Sequence, residues 1–189
     1  MKIARVVPIM VMAGASLCAG QIAATQEATV TICMDPDPLV LMGVRPLASR
    51  MFASIGVRID WHDRDSCPAG ANAIQVRMSH DPPGTRKSKT LAFAQPYGRN
   101  LIVVFPQRVQ EMNRNGGPSV LAHVLVHEIT HVLEGIDRHS ATGIMKGRWD
   151  DNDYAEMRRK PLRFAPEDAG LIYDGLKARS RTLSPLAAQ

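Results

Sequence analysis

Aromatic residues are scarce in this chain, 5% of 189, and its lysines and arginines never gather into a dense stripe. Without rings to stack on bases or a basic track to follow a phosphate backbone, nucleic-acid binding is not expected. No apolar run is long enough to span a bilayer; Val6–Ala15 is the main candidate and falls well short of the roughly 20 residues required. Internal repeats are absent, which excludes solenoids and propellers. Cysteine is limited to three residues, too few for a disulfide-dense scaffold.

The short apolar run has a different reading. Lys2 and Arg5 precede it and the small-residue segment Ser16-Leu17-Cys18-Ala19-Gly20 follows, which is the three-part layout of a secretory signal peptide over residues 1–20. Cys18 lacks the leucine three residues before it that a lipoprotein acceptor has, so lipid anchoring is the lesser alternative. Removing Lys2 and Arg5 takes the formal charge from +5 to +3, a mild excess. What remains is one domain over 21–180 followed by a frayed tail, 181–189, expected to work as a monomer in a periplasm or outside the cell. In that oxidising setting Cys33 and Cys67 form an even pair. A disulfide between them closes a loop of about 34 residues and, by chain-entropy reasoning, contributes roughly 3–4 kcal/mol.

The densest chemical information lies in Pro118–Met145. Pro118 and Ser119 suit the first turn of a helix, where the missing amide of proline costs nothing. From Val120 to Leu133 apolar residues fall on nearly every side of a 3.6-residue period, so the helix is expected to be buried and central, with Gly135 ending it. His127, Glu128 and His131 are expensive in such surroundings, because a polar group taken from water without a partner costs roughly 1–3 kcal/mol. A shared ligand supplies the reason. Two imidazoles four residues apart lie one turn from each other on one face, at a separation that Zn2+ can bridge. Glu128 projects about 100° away, flanking the metal as a general base rather than binding it. His123, one turn further back, is read as a core histidine because no glutamate follows it.

A catalytic zinc site normally has three protein ligands, so a third must come from downstream. The sequence continues as His131-Val-Leu-Glu-Gly135-Ile-Asp137-Arg-His139-Ser140-Ala-Thr-Gly143-Ile-Met145. This stretch resembles the metzincin clan of zinc metallopeptidases, in particular its matrixin-like members, whose pattern is H-E-x-x-H-x-x-G-x-x-H followed by a methionine-containing turn. Here Gly135 comes one residue late and His139 two residues late. Asp137 occupies the strict position, so two third ligands stand open: His139, favoured by the His-Ser then Gly-Ile-Met order, and Asp137. A gluzincin-like arrangement would instead use a distant glutamate such as Glu156 or Glu167. Cys33 as an inhibitory zinc ligand is a further alternative, with too short a segment before it to form a propeptide.

The resemblance implies an α+β zincin catalytic domain: a twisted mixed sheet of four to five strands, a central active-site helix and a C-terminal helix. It implies a secreted zinc endopeptidase that binds polypeptide in extended conformation along an edge strand near Leu91–Ala94, with Met145 packed beneath the metal. Some metzincins carry a tyrosine two residues after that methionine; here the position is Gly147, and Tyr154 is the nearest substitute. The competing function is a zinc-stabilised binding or structural module without turnover.

Periodicity gives the same element order independently. Strands are expected at Ala28–Cys33, Val57–Trp61, Ala73–Met78, Thr90–Phe93 and Leu101–Phe105, with a helix over Leu39–Ile55 after the first strand. Glu134 is read as a solvated residue at the helix end, and Lys146–Pro161 as a polar, charged segment. Pro166-Glu167-Asp168 starts a last helix reaching about Lys177.

Overall fold

The computed structural model describes residues 28–36, 43–69, 72–79, 90–95, 100–112 and 118–182. The expected signal segment over 1–20, the basic stretch Arg86–Lys89, the Asn115-Gly116-Gly117 break and the expected tail beyond 182 lie outside these residues.

Five strands form one sheet: β1 (Ala28–Met34), β2 (Val57–Asp63), β3 (Ile74–Met78), β4 (Ala92–Gln95) and β5 (Leu101–Val104), in the order β2-β1-β3-β5-β4. The first four of that order run parallel and β4 is antiparallel to β5. Alternation explains the register. In β2, Val57 and Ile59 are buried while Arg58 and Asp60 face water; in β3, Ile74 and Val76 take the buried positions. The run from Leu101 is internal, as its uniform apolarity predicts.

Five α-helices complete the described fold: α1 (Val44–Ala53), α2 (Pro106–Met112), α3 (Ser119–Glu134), α4 (Asp151–Met157) and α5 (Pro166–Thr182). The central helix is α3. It packs against α1, α5 and β4, and every residue from Val120 to Glu134 is buried except the half-buried His127. Gly135 ends it at φ 70, a left-handed conformation that favours glycine.

Several boundaries differ from expectation. The described part of α1 begins at Val44, and α5 continues to Thr182. Two short helices went unforeseen. Only Pro106 and Val109 of α2 are buried, and only Met157 of α4, so neither carries a periodic stripe. Glu134 is buried rather than solvated, because α5 covers the end of α3. Burial pushes its carboxyl up to about 7, against the opposing pull of Arg138.

That cover depends on one glycine. A Cβ on Gly175 of α5 would lie 1.8 Å from the carbonyl oxygen of Leu133, so the two helices touch backbone to backbone. Alanine ordinarily gains up to about 1 kcal/mol over glycine inside a helix. Here the clash is with main chain, and overpacking typically costs 1–3 kcal/mol, so Gly175→Ala is expected to lower the melting temperature by several degrees, measurable by thermal denaturation.

Cys33 and Cys67 form a disulfide with Cα atoms 5.6 Å apart, linking β1 to the segment after β2. Cys33 is fully buried in it, which removes it as a zinc ligand. Cys33→Ser is expected to lower the non-reducing melting temperature by about 10 °C; an unchanged value would leave the disulfide without energetic weight.

Candidate metal centre

The three histidines come together. One nitrogen from each of His127, His131 and His139 lies within 4.8 Å of the other two, and among the described residues these form the one group of three or more potential metal donors. The Nε2 atoms of His127 and His131 are 3.1 Å apart. His139 stacks on His127 with ring centroids 5.3 Å apart and stands edge-on to His131 at 5.1 Å. Asp137 lines the same cleft and its charge acts on His127 and His131, but it is not in the donor group. The gluzincin alternatives are engaged elsewhere: Glu156 lies 3.4 Å from the Lys160 ammonium, and Glu167 binds Arg138 at 2.7 Å.

Main-chain carbonyls set the tautomers. His127 Nδ1 is 2.9 Å from the oxygen of Ile144, and His131 Nδ1 is 3.3 Å from that of Ile136. A carbonyl only accepts, so each Nδ1 donates its hydrogen and each Nε2 is left with a bare lone pair. Burial holds the His127 imidazole down to about 4 and lowers His131 as well, so both rings are neutral at pH 7. Two lone pairs facing each other at 3.1 Å repel unless a cation lies between them. Tetrahedral Zn–N bonds of about 2.0–2.1 Å place ligand nitrogens roughly 3.3–3.4 Å apart, so the His127–His131 pair is already near that spacing. The donor set fits Zn2+.

The Ile144 carbonyl comes from a tight turn. Ser140 donates its N–H to the Met145 oxygen at 2.8 Å, Lys146 to that of Gly143, and Ile144 to that of Arg163 at 3.0 Å. Met145 is fully buried within this turn. Gly143, at φ 75, sits where a Cβ would meet the Arg163 oxygen at 2.2 Å, so the turn admits no side chain there. Gly147 has an equally specific use. A Cβ on it would come within 3.0 Å of the His139 ring, so its bareness makes room for the third imidazole.

Around the histidines lies an open cleft of about 1620 Å³, lined by residues 90–95 of the β4 segment, Glu128 and Trp149 among others. Glu128 is 9% exposed and lines the same cleft as the three histidines. Trp149 stands edge-on to His127 with centroids 5.6 Å apart, and Tyr154 packs on Trp149 at 6.4 Å. Tyr154 therefore belongs to the cleft wall, and burial raises its hydroxyl pKa. His123 is fully buried and has no room for a metal role: Nδ1 donates to the Ser119 oxygen at 2.7 Å and Nε2 accepts from the Leu162 N–H at 3.0 Å.

No protein-family model and no curated protein matches the sequence. Solved structures do match the fold. An archaemetzincin from Methanopyrus kandleri superposes with a TM-score of 0.56 over 82% of this chain and 99% of its own, at 13% identity. The fold is archaemetzincin-like. A zinc-dependent peptidase from Methanocorpusculum labreanum gives a TM-score of 0.51 over 76% of this chain and 99% of its own, at 16% identity. At such identities the likeness to archaemetzincins is one of architecture, and the chemistry must be argued from this chain's own residues.

Proposed function

We propose that this chain is an exported zinc-dependent endopeptidase, with His127, His131 and His139 as metal ligands and Glu128 as general base. The observation that carries the reading is the pair of Nε2 lone pairs aimed at each other across 3.1 Å, each fixed by a carbonyl behind it. A purely structural site has no use for an additional carboxylate beside its ligands, and the open cleft gives a substrate access. The archaemetzincin-like fold, shared with a zinc-dependent peptidase from Methanocorpusculum labreanum, supports the same reaction class.

Zinc bound there supplies Lewis acidity, polarising a carbonyl oxygen and lowering the pKa of water to about 7. The protein's own groups do the rest. The imidazoles of His127 and His131 are held in orientation by the carbonyls behind them, so neither ring has to rotate during turnover. Glu128 takes the proton of the attacking water as the C–O bond forms and delivers it to the leaving nitrogen as the C–N bond breaks. Strand β4 is the last strand of the sheet and lines the cleft, the placement that lets an extended polypeptide add alongside it by main-chain hydrogen bonds. Export rests on the layout of residues 1–20 and is supported by the disulfide.

Metal analysis of the purified chain, alongside cleavage of a broad peptide library, tests the proposal. One zinc per chain with internal cleavage is the expected result. Zinc without cleavage of any peptide would instead favour a binding module, and no zinc would end both readings.

A further inference from the structure

The turn carrying His139 is two residues longer than the pattern it resembles, and His139 itself is exposed and belongs to no helix or strand. Its two neighbours in sequence are held instead. Arg138 forks across the first turn of α5: Nη1 donates to Asp168 Oδ1 at 2.8 Å, while Nη2 donates to Glu167 Oε1 at 2.7 Å and to Ser140 Oγ at 3.1 Å. The Ser140 hydroxyl bonds the same Asp168 Oδ1. Asp168 is fully buried, and its other oxygen accepts the Ala165 N–H at 3.1 Å, so both of its oxygens are engaged. Glu134, at the end of the helix that bears the other two histidines, lies 3.7 Å from Arg138 Nη1. The residues flanking His139 are thus fixed to α5 through a planar guanidinium that meets two carboxylates at once.

We propose that Arg138, Ser140 and Asp168 are positioning residues that act on the metal centre through His139, making up for the longer turn. The inference rests on the zinc reading above. A purely architectural bracket would tie α5 to the core and touch all three ligands alike. A positioning bracket acts through one of them, and that difference is measurable.

The experiment is zinc affinity of the full chain, read by competition with a chromophoric chelator, for the unaltered protein, R138A, H139A and the double variant. R138A is expected to weaken zinc binding about 10-fold, the low end of the range for a direct partner of a ligand, because Arg138 acts on His139 through the chain. In the H139A background the same substitution is expected to change it less than about twofold, because the residue it acts through is gone. R138K is expected to recover only part of the loss, since an ammonium lacks the fork. An unchanged affinity in R138A, or an equal loss in both backgrounds, overturns the proposal. Should R138A fail to fold, R138K and S140A replace it in the same two backgrounds and the same patterns decide. If the unaltered chain binds no zinc, the zinc reading falls and this proposal with it. Zinc binding without any dependence on Arg138 overturns this proposal alone.

Discussion

Glu128→Ala is expected to keep its zinc and lose its peptidase activity, with kcat/KM falling by roughly 10²–10⁴-fold, the usual contribution of a positioned general base. The separation of the two effects is the point. Glu128 is neighbour to His127 in sequence but is not in the donor group, so removing its carboxylate leaves all three imidazoles, and the carbonyls behind His127 and His131, in place. Glu128→Gln sharpens the comparison, because it keeps the volume and removes only the basic oxygen. Metal analysis and steady-state kinetics on the same preparations provide the check. Loss of zinc together with activity would assign Glu128 to the ligand set, and full activity without it would require another base.

The second large effect concerns the third ligand. His139→Ala is expected to weaken zinc by more than the roughly 10–100-fold typical of an outer partner, since a ligand itself is lost. Asp137→Ala is expected to change affinity only a few-fold, through the loss of a nearby negative charge. The asymmetry follows from geometry: the His139 donor lies within 4.8 Å of both partner nitrogens, and Asp137 is outside that group. Isothermal titration of both variants decides the matter, and the reverse order would hand the position to Asp137.

Much of the fold could be read in the sequence where periodicity was strong. The all-round apolarity of residues 120–133 marks α3 as central, and the alternation in Val57–Ile59 and Ile74–Met78 gives strands with the correct faces. The short helices were hidden for a physical reason. With seven residues each and one or two buried side chains, α2 and α4 carry almost no stripe. For α4 a signal did exist in its start. Asp150 accepts from the N–H groups of Asn152 and Asp153, and Asp153 reaches back to the Asp150 N–H, a capping box with aspartate in the place where glutamate is usual.

The site divides along the same line. The His127–His131 pair follows from helical spacing and the nature of imidazole, both local properties, whereas the choice of His139 over Asp137 leaned on the family pattern. What supports them does not: the carbonyls of Ile136 and Ile144 are main-chain groups with no signature, and Glu134 is buried by a helix that starts more than 30 residues later. Gly147 is the instructive case. Beside a family pattern it looks like a missing tyrosine, whereas in three dimensions it is the space that admits the ring of His139.

The hydrogen bond from His127 to Ile144 spans only 17 positions, and His139 and Ile136 fall between them. The metal-gripping apparatus is therefore of low contact order, able to assemble without closing a long and entropically costly loop. The long-range link comes from Glu167 and Asp168 at the start of α5, which lies about 30 residues further along the chain than Arg138. Because α5 follows these residues in the chain, the imidazoles can come into register without it, and its docking then steadies an arrangement that local contacts have already set.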